Sequence, residues 1–235
     1  MWSMTAPMKA AARDERSSDT SGKNEPEKRG RKASKEVRQQ QLIEATIDSL
    51  AKRGYSETTM ADVADGAGLS RGIVNFHFES KDKLLVATLQ YMADEYAAHW
   101  RAALAKAGAD PARQLRSLVA ADFDRSICNR RKLAAWCAFW GEAKSRPTYL
   151  KLCADRDHEY ADAFLQVTRA MIEEGGYEGL DAELVAQGLS ALTDGLWLDL
   201  LVRPESMSRE RAKRISLSYL ADVFPRHFSQ PAAEG

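Results

Sequence analysis

Apolar side chains from Ser34 onward return at the third and fourth positions, the period of helices with one buried face. Val37, Leu42, Ile43, Ala45, Thr46, Ile47 and Leu50 share such a face and Gly54 stops the run, which predicts a first helix over 34–53. Thr59 then precedes Met60, Val63, Ala64 and Ala67, with Asp62 in the first turn, where the positive helix end favours it, and Gly66 and Gly68 closing the segment. Ser70 is placed to cap a second short helix from Arg71 to His77, carrying Ile73, Val74 and Phe76. Ser80 is placed to cap a much longer one, from Lys81 to Ala107, that Gly108 and Pro111 end. Breaks at Asn129, Pro147, Gly175 with Gly176, and Pro204 divide the remainder into helices over 111–127, 130–144, 147–174, 181–202 and 208–224. No stretch alternates as a strand would, so the chain reads as all-α with about nine helices and no internal repeat.

Composition narrows the class. At 235 residues, 44% hydrophobic and 29% charged, the chain can bury a sizeable core. No apolar run approaches the ~18 residues of a membrane span. Cys128, Cys137 and Cys153 are an odd number in neither a CxxC pair nor a disulfide framework, and no apolar leader marks secretion, so a reducing cytoplasm is expected. Lys and Arg total 34 against 34 Asp and Glu, but the balance is uneven. Lys23, Lys28, Arg29, Arg31, Lys32, Lys35 and Arg38 face only Glu25, Glu27 and Glu36 across residues 23–38, overlapping an arm, residues 1–33, too poor in large apolar groups to fold by burial. Clustered bases of this kind suit phosphate, because counterion release rewards local charge; a solvated, disordered leader is the alternative.

Two short helices joined through a glycine turn and braced by longer helices describe a helix-turn-helix, whose second helix enters the DNA major groove. That helix offers Ser70, Arg71, Asn75 and His77 as polar groups, with Gly72 permitting close backbone approach. Arg can grip guanine O6 and N7, and Asn adenine N6 and N7. Thr58, Thr59, Ser80 and Lys81 stand at helix starts, where free N–H groups suit phosphate. Ile73, Val74 and Phe78 are core positions, Phe76 divides evenly between core and DNA contact, and His77 serves equally as a helix cap. The domains implied are a basic arm over 1–33, a DNA-binding domain over 34–80 and a helical ligand-sensing and dimerisation domain over 81–228.

The run TTMADVADGAGLSRGIVNFHFESKDKLLVATL, residues 58–89, resembles the N-terminal domain of TetR-type transcriptional repressors. The resemblance implies double-stranded operator DNA as partner, recognition contacts from Ser70, Arg71, Gly72, Asn75, Phe76 and His77, and phosphate contacts from Thr59 and Lys81. Many members carry tyrosine where this chain has Asn75, which turns that position from phosphate toward a base.

Most of the large aromatics lie beyond this region. Trp136, Phe139 and Trp140 share one helical face, and Asp194 and Trp197 lie three apart on another predicted helix. Core packing accounts for any one of them; together, aromatic faces and a carboxylate also suit a quaternary ammonium cation. KLAAWCAFWGEAKSRPTYLKLC, residues 132–153, and LSALTDGLWLDLLV, residues 189–202, resemble the C-terminal domain of the BetI-type subgroup, choline-responsive repressors of glycine betaine synthesis from choline. That resemblance implies a cytoplasmic homodimer, no cofactor, and choline as the inducer; a TetR-type repressor with another small-molecule inducer is the alternative. For the dimer, the helices from Asp181 to Val202 and from Ser208 to Phe224 present apolar faces, Leu184, Leu189, Leu192, Leu196 and Leu200, and Ile215, Leu217, Tyr219, Leu220 and Val223.

Two other classes compete. An enzyme finds no GxSxG, HExxH, Walker A or GxGxxG motif, His99, His158 and His227 lack partners at metal spacing, and the cluster Asp155, Asp157, His158 and Glu159 reads as a solvated helix face. A thiol redox sensor would use Cys128, whose neighbours Arg125, Arg130 and Arg131 would lower its pKa, whereas Cys137 sits in an apolar run.

Overall fold

The computed structural model describes residues 24–229, excluding the side chains of 24–33, 153 and 155–157. Nine helices and no strand occur among the described residues: α1 (Asn24–Glu57), α2 (Met60–Ala67), α3 (Arg71–His77), α4 (Lys81–Ala107), α5 (Pro111–Asp122), α6 (Arg130–Ala143), α7 (Pro147–Gly175), α8 (Ala182–Val202) and α9 (Arg209–Val223). Thr59, Ser70 and Ser80 cap the helices expected of them, and four further starts are capped in the same way. The side chains of Thr59, Ser70, Ser80, Asp110, Asn129, Asp181 and Ser208 each accept from a backbone amide in the first turn of the helix that follows, satisfying donors the helix itself cannot.

Two boundaries differ from the expected ones. Helical backbone begins at Asn24, ten positions before Ser34, in a stretch dominated by the good helix formers Glu, Lys, Arg and Ala; the remainder of the expected arm, residues 1–23, lies outside the described residues. Helix α5 ends at Asp122 instead of Ile127 because Asp124 turns the chain. The Asp124 carboxylate accepts from the Ser126 amide at 2.8 Å and hydroxyl at 2.6 Å, and its carbonyl accepts from the Cys128 amide at 2.7 Å.

Within residues 39–229 one apolar cluster continues from Leu42, Ile47, Val63, Val74 and Leu85 to Phe123, Phe139, Phe164, Leu189 and Phe224, all buried. Helix α4 packs on α5 and α7, α7 on α8, and α8 on α9. Gly54, at φ 79°, breaks α1 in a conformation that disfavours any side chain, and turns the chain toward α2. No helix among the described residues is long and apolar enough to cross a membrane.

Candidate functional site

The three-helix reader is held by short-range bonds. The Thr59 hydroxyl accepts from the Asp62 amide at 3.2 Å, while the Asp62 carboxylate accepts from the Thr59 amide at 3.0 Å, a reciprocal capping box. The Thr59 hydroxyl and amide, together with Arg53 and Arg71, hold the Asp62 carboxyl below the usual carboxylate range. Gly68, at φ 64°, makes the turn between α2 and α3. Val74 and Phe78 anchor α3 in the core, and Ser70, Arg71, Gly72, Asn75 and Phe76 are exposed on its outer side. Phe76 is 77% exposed, which removes it from the core; its ring meets that of half-buried His77 edge-on at 5.2 Å. Phe78, and not His77, is the C-cap.

Two expected phosphate contacts are placed differently. Thr58 is buried, its hydroxyl donating to the Gly54 carbonyl at 2.8 Å and accepting from the Ser49 hydroxyl at 3.1 Å, so it braces the end of α1. The Lys81 ammonium donates to the Tyr55 and Ser56 carbonyls, both at 3.1 Å, and lies 5.4 Å from the Tyr55 ring centre. Any phosphate it meets competes with those carbonyls.

The aromatic residues singled out beyond the reader separate into two groups. Phe139 is fully buried and packs on Tyr55 and Tyr149. Trp136 is buried and stacks on Trp140 at 6.2 Å, and Trp140 stacks on Trp197 at 6.5 Å, but neither Trp136 nor Trp140 lines the cavity that Trp197 does. Asp194 and Trp197 do. They line a cavity of about 190 Å³ together with Tyr96, Asp122, His158, Tyr160 and Thr193. This volume is below that of drug-sized pockets and matches a small metabolite.

Asp122 was not among the expected site residues, yet it is the most unusual group in the molecule. It is buried at the C-terminal end of α5. One carboxylate oxygen, Oδ1, accepts from the Tyr96 hydroxyl at 2.7 Å and the Tyr160 hydroxyl at 2.5 Å. The other, Oδ2, is buried with no hydrogen bond of ordinary geometry; the Thr193 hydroxyl, which donates to the Ser190 carbonyl at 3.0 Å, also faces the carboxyl and stabilises its charge. Burial pushes the Asp122 carboxyl up to about 7, Tyr160, Tyr96 and Thr193 pull it down through their hydroxyls, and Asp194 adds to the rise. The Trp197 indole N–H donates to the Asp122 carbonyl at 3.0 Å and its ring meets Tyr96 edge-on at 5.7 Å, closing an aromatic wall around the acid. A signal for Asp122 did exist: it continues the buried face of Leu115, Leu118 and Val119, an acid in a core register. His158, expected on a solvated face, is exposed but lines this cavity, whereas Glu159 pairs with Arg101; the side chains of Asp155 and Asp157 lie outside the described residues.

The reader is joined to α6 and α7 by polar contacts. Arg131 on α6 bonds Glu44 at 2.6 Å and Asp48 at 2.5 Å on α1. The Tyr55 and Tyr149 hydroxyls are 2.9 Å apart, and Arg146 lies 4.9 Å from the Tyr55 ring centre while pairing with Asp82 at 3.2 Å.

The thiol expectation is overturned. Cys128 is buried, and burial pushes its thiol up to about 12, against the small opposing pull of Arg209 and Lys213. Arg131, expected to activate it, is committed to α1, and Cys137 is also raised by burial. The side chain of Cys153 lies outside the described residues. No cluster of three or more metal-ligating side chains occurs among the described residues.

On the expected dimer helices, Leu189, Leu196 and Leu220 are already buried within the chain. The apolar groups α8 leaves exposed are Leu184, Leu198 and Val202, which share one helix side.

Residues 42–88 match the family described as bacterial regulatory proteins, tetR family, and residues 111–225 match the BetI-type transcriptional repressor C-terminal family. An HTH-type transcriptional regulator BetI from Stenotrophomonas maltophilia is 33% identical over 185 residues, covering 78% of this chain and 91% of the relative. One of the same name from Serratia proteamaculans is 31% identical over 186 residues, with the same coverage. Among solved structures, a transcriptional regulator from Pseudomonas aeruginosa superposes with a TM-score of 0.72 at 29% identity, covering 83% of this chain and 95% of that one. A regulator from Saccharomonospora viridis in complex with choline superposes at 0.71 with 24% identity, covering 79% and 95%.

Proposed function

The chain belongs to the BetI-type transcriptional repressors of the tetR family, and from that premise we propose a cytoplasmic homodimer that grips operator DNA through α3 and releases it when a small quaternary ammonium cation, choline foremost, fills the cavity beside Asp122. The observation that carries the choice of ligand is the buried Asp122 carboxylate with one bare oxygen, walled by Tyr96, Tyr160 and Trp197. A methylated ammonium offers no hydrogen bond, so it is recognised by aromatic faces and a counter-charge, and this cavity supplies both. The fold shared with a choline complex supports the same choice. The genes controlled on this reading are those that convert choline to glycine betaine.

DNA contact falls to Arg71 and Asn75 for base edges, with Ser70, Gly72, Phe76 and His77 against the groove and Thr59 and Lys81 toward the backbone. The dimer forms through α8 and α9, with Leu184, Leu198 and Val202 at its centre, so that two α3 helices meet half-sites about 34–36 Å apart. Helix α4 links the two functions: it starts at Lys81 beside the reader and carries Tyr96 into the cavity about 22 Å along, at 1.5 Å per residue. Cation binding that draws Tyr96, Tyr160 and Trp197 together moves α4, and Arg131 and Arg146 pass the change to α1. The cation shifts the equilibrium only by binding the DNA-incompetent arrangement more tightly.

The test is calorimetric titration with choline, with betaine aldehyde and glycine betaine as comparators, beside an operator-binding assay under the same conditions. Saturable choline binding at one site per subunit, with loss of operator affinity, is the expected result. Absence of binding by all three compounds overturns the choice of ligand.

A further inference from the structure

Asp122 presents a cation with a difficulty that its surroundings make specific. The oxygen without a hydrogen bond of ordinary geometry, Oδ2, is buried in a cavity whose only lining cation candidate among the described residues is His158, at the rim. A bare anionic oxygen in such a place is costly, and the least costly way to hold it without ligand is as a carboxylic acid. Burial outweighs the groups that face it: Tyr96 on α4 and Tyr160 on α7 occupy Oδ1 and, with the Thr193 hydroxyl on α8, favour the charge, while Asp194 on α8 opposes it and Cys128 follows α5 as a buried thiol. Helix α9 brings Arg209 and Lys213 toward Cys128.

Resting on the reading that a quaternary ammonium fills this cavity, we propose that the cation enters by exchange with a proton on Asp122, so that the protein reads effector and acidity together. The O–H bond at Oδ2 breaks, the proton passes to solvent, and the carboxylate left behind pairs with the ammonium; one positive charge leaves as one arrives. The burial that holds the acid neutral near pH 7 places this exchange in the range where a cell's own acidity changes it. Acid conditions then oppose effector binding, and the protein stays on DNA until more cation accumulates.

Calorimetric titration of the full chain with choline, in pairs of buffers of different ionisation heat, counts the protons. Release is expected to approach one per cavity at about pH 6 and to fall toward none at about pH 8, with affinity rising about tenfold over the same interval. Asp122→Asn is expected to bind choline weakly with no release and no dependence on pH, and operator binding by the variant establishes that it is folded. Choline binding with constant affinity across this range, or release that persists in Asp122→Asn, overturns the exchange while leaving the choline reading intact. No choline binding at any pH overturns both.

Discussion

In the reader, each helix start is fixed by a partner three residues away: Thr59 with Asp62, Ser70 with Ile73, Ser80 with Lys83. The sensor cavity is assembled across the chain, from groups that meet Asp122 from 26, 38 and 75 residues away, namely Tyr96, Tyr160 and Trp197. The reader keeps its functional groups in water, where a side chain has close to its ordinary chemistry. The sensor takes an acid out of water and changes what that acid is. A surface that reads DNA can therefore be set by local rules, while a pocket that recognises a cation has to be made by packing.

The sharpest break of this comparison uses the acid itself. Asp122 is raised from 3.8 to about 7 in the fold, so its favourable contribution is full below the unfolded value and is lost as pH rises through the folded one. At about 1.36 kcal/mol per unit the loss is about 4 kcal/mol across that window. Asp122→Asn keeps the shape and acceptor for both tyrosines, and is expected to remove that slope and to exceed the unmodified protein in stability at about pH 8. Urea unfolding at a series of pH values measures it, and equal slopes for the two proteins would mean that the acid is not desolvated.

Next in size is Arg71→Ala, expected to cost about 1–3 kcal/mol of operator affinity for a lost bidentate contact while choline binding is unchanged. Fluorescence anisotropy with operator and random DNA checks it; an equal loss on both would make Arg71 a phosphate contact. Thr59→Ala removes the capping box and is expected to lower unfolding free energy by about 0.5–2 kcal/mol, again without touching the cavity. Reduced choline affinity in that variant would show the two regions to be less separate than their contacts suggest. The smallest effect on stability, under about 1 kcal/mol, is expected of Arg131→Gln, since the side chains of its partners Glu44 and Asp48 are 39% and 50% exposed. Its value lies in the readout: choline is expected to bind normally and to release operator less completely, because this pair spans the junction.

The amount legible in the sequence follows the same division. Caps, breaks and apolar period placed α2, α3 and α4 at their observed ends, because each signal and its effect lie within a single turn. The end of α5 was missed because Asp124 offers the backbone a competing turn that periodicity does not register. Thr58 looked like a phosphate group from its position and is buried against the end of α1, and the Lys81 ammonium also bonds α1 carbonyls, contacts made across a helix break. Of the five aromatic and acidic residues singled out for the ligand, Asp194 and Trp197 line the cavity; Trp136, Phe139 and Trp140 share a helical face that turns into the core.

By itself the sequence determined that this is an all-helical protein with a glycine-turned reader and that its second half is rich in aromatic rings. Only the tertiary structure decided which rings surround a cavity, that Phe76 stands in solvent, that Cys128 is buried, and that Asp122 is an acid held out of water. The reason is physical. Helix ends depend on bonds between near neighbours, whereas burial, and the charge state it imposes, depends on everything the fold brings around a group.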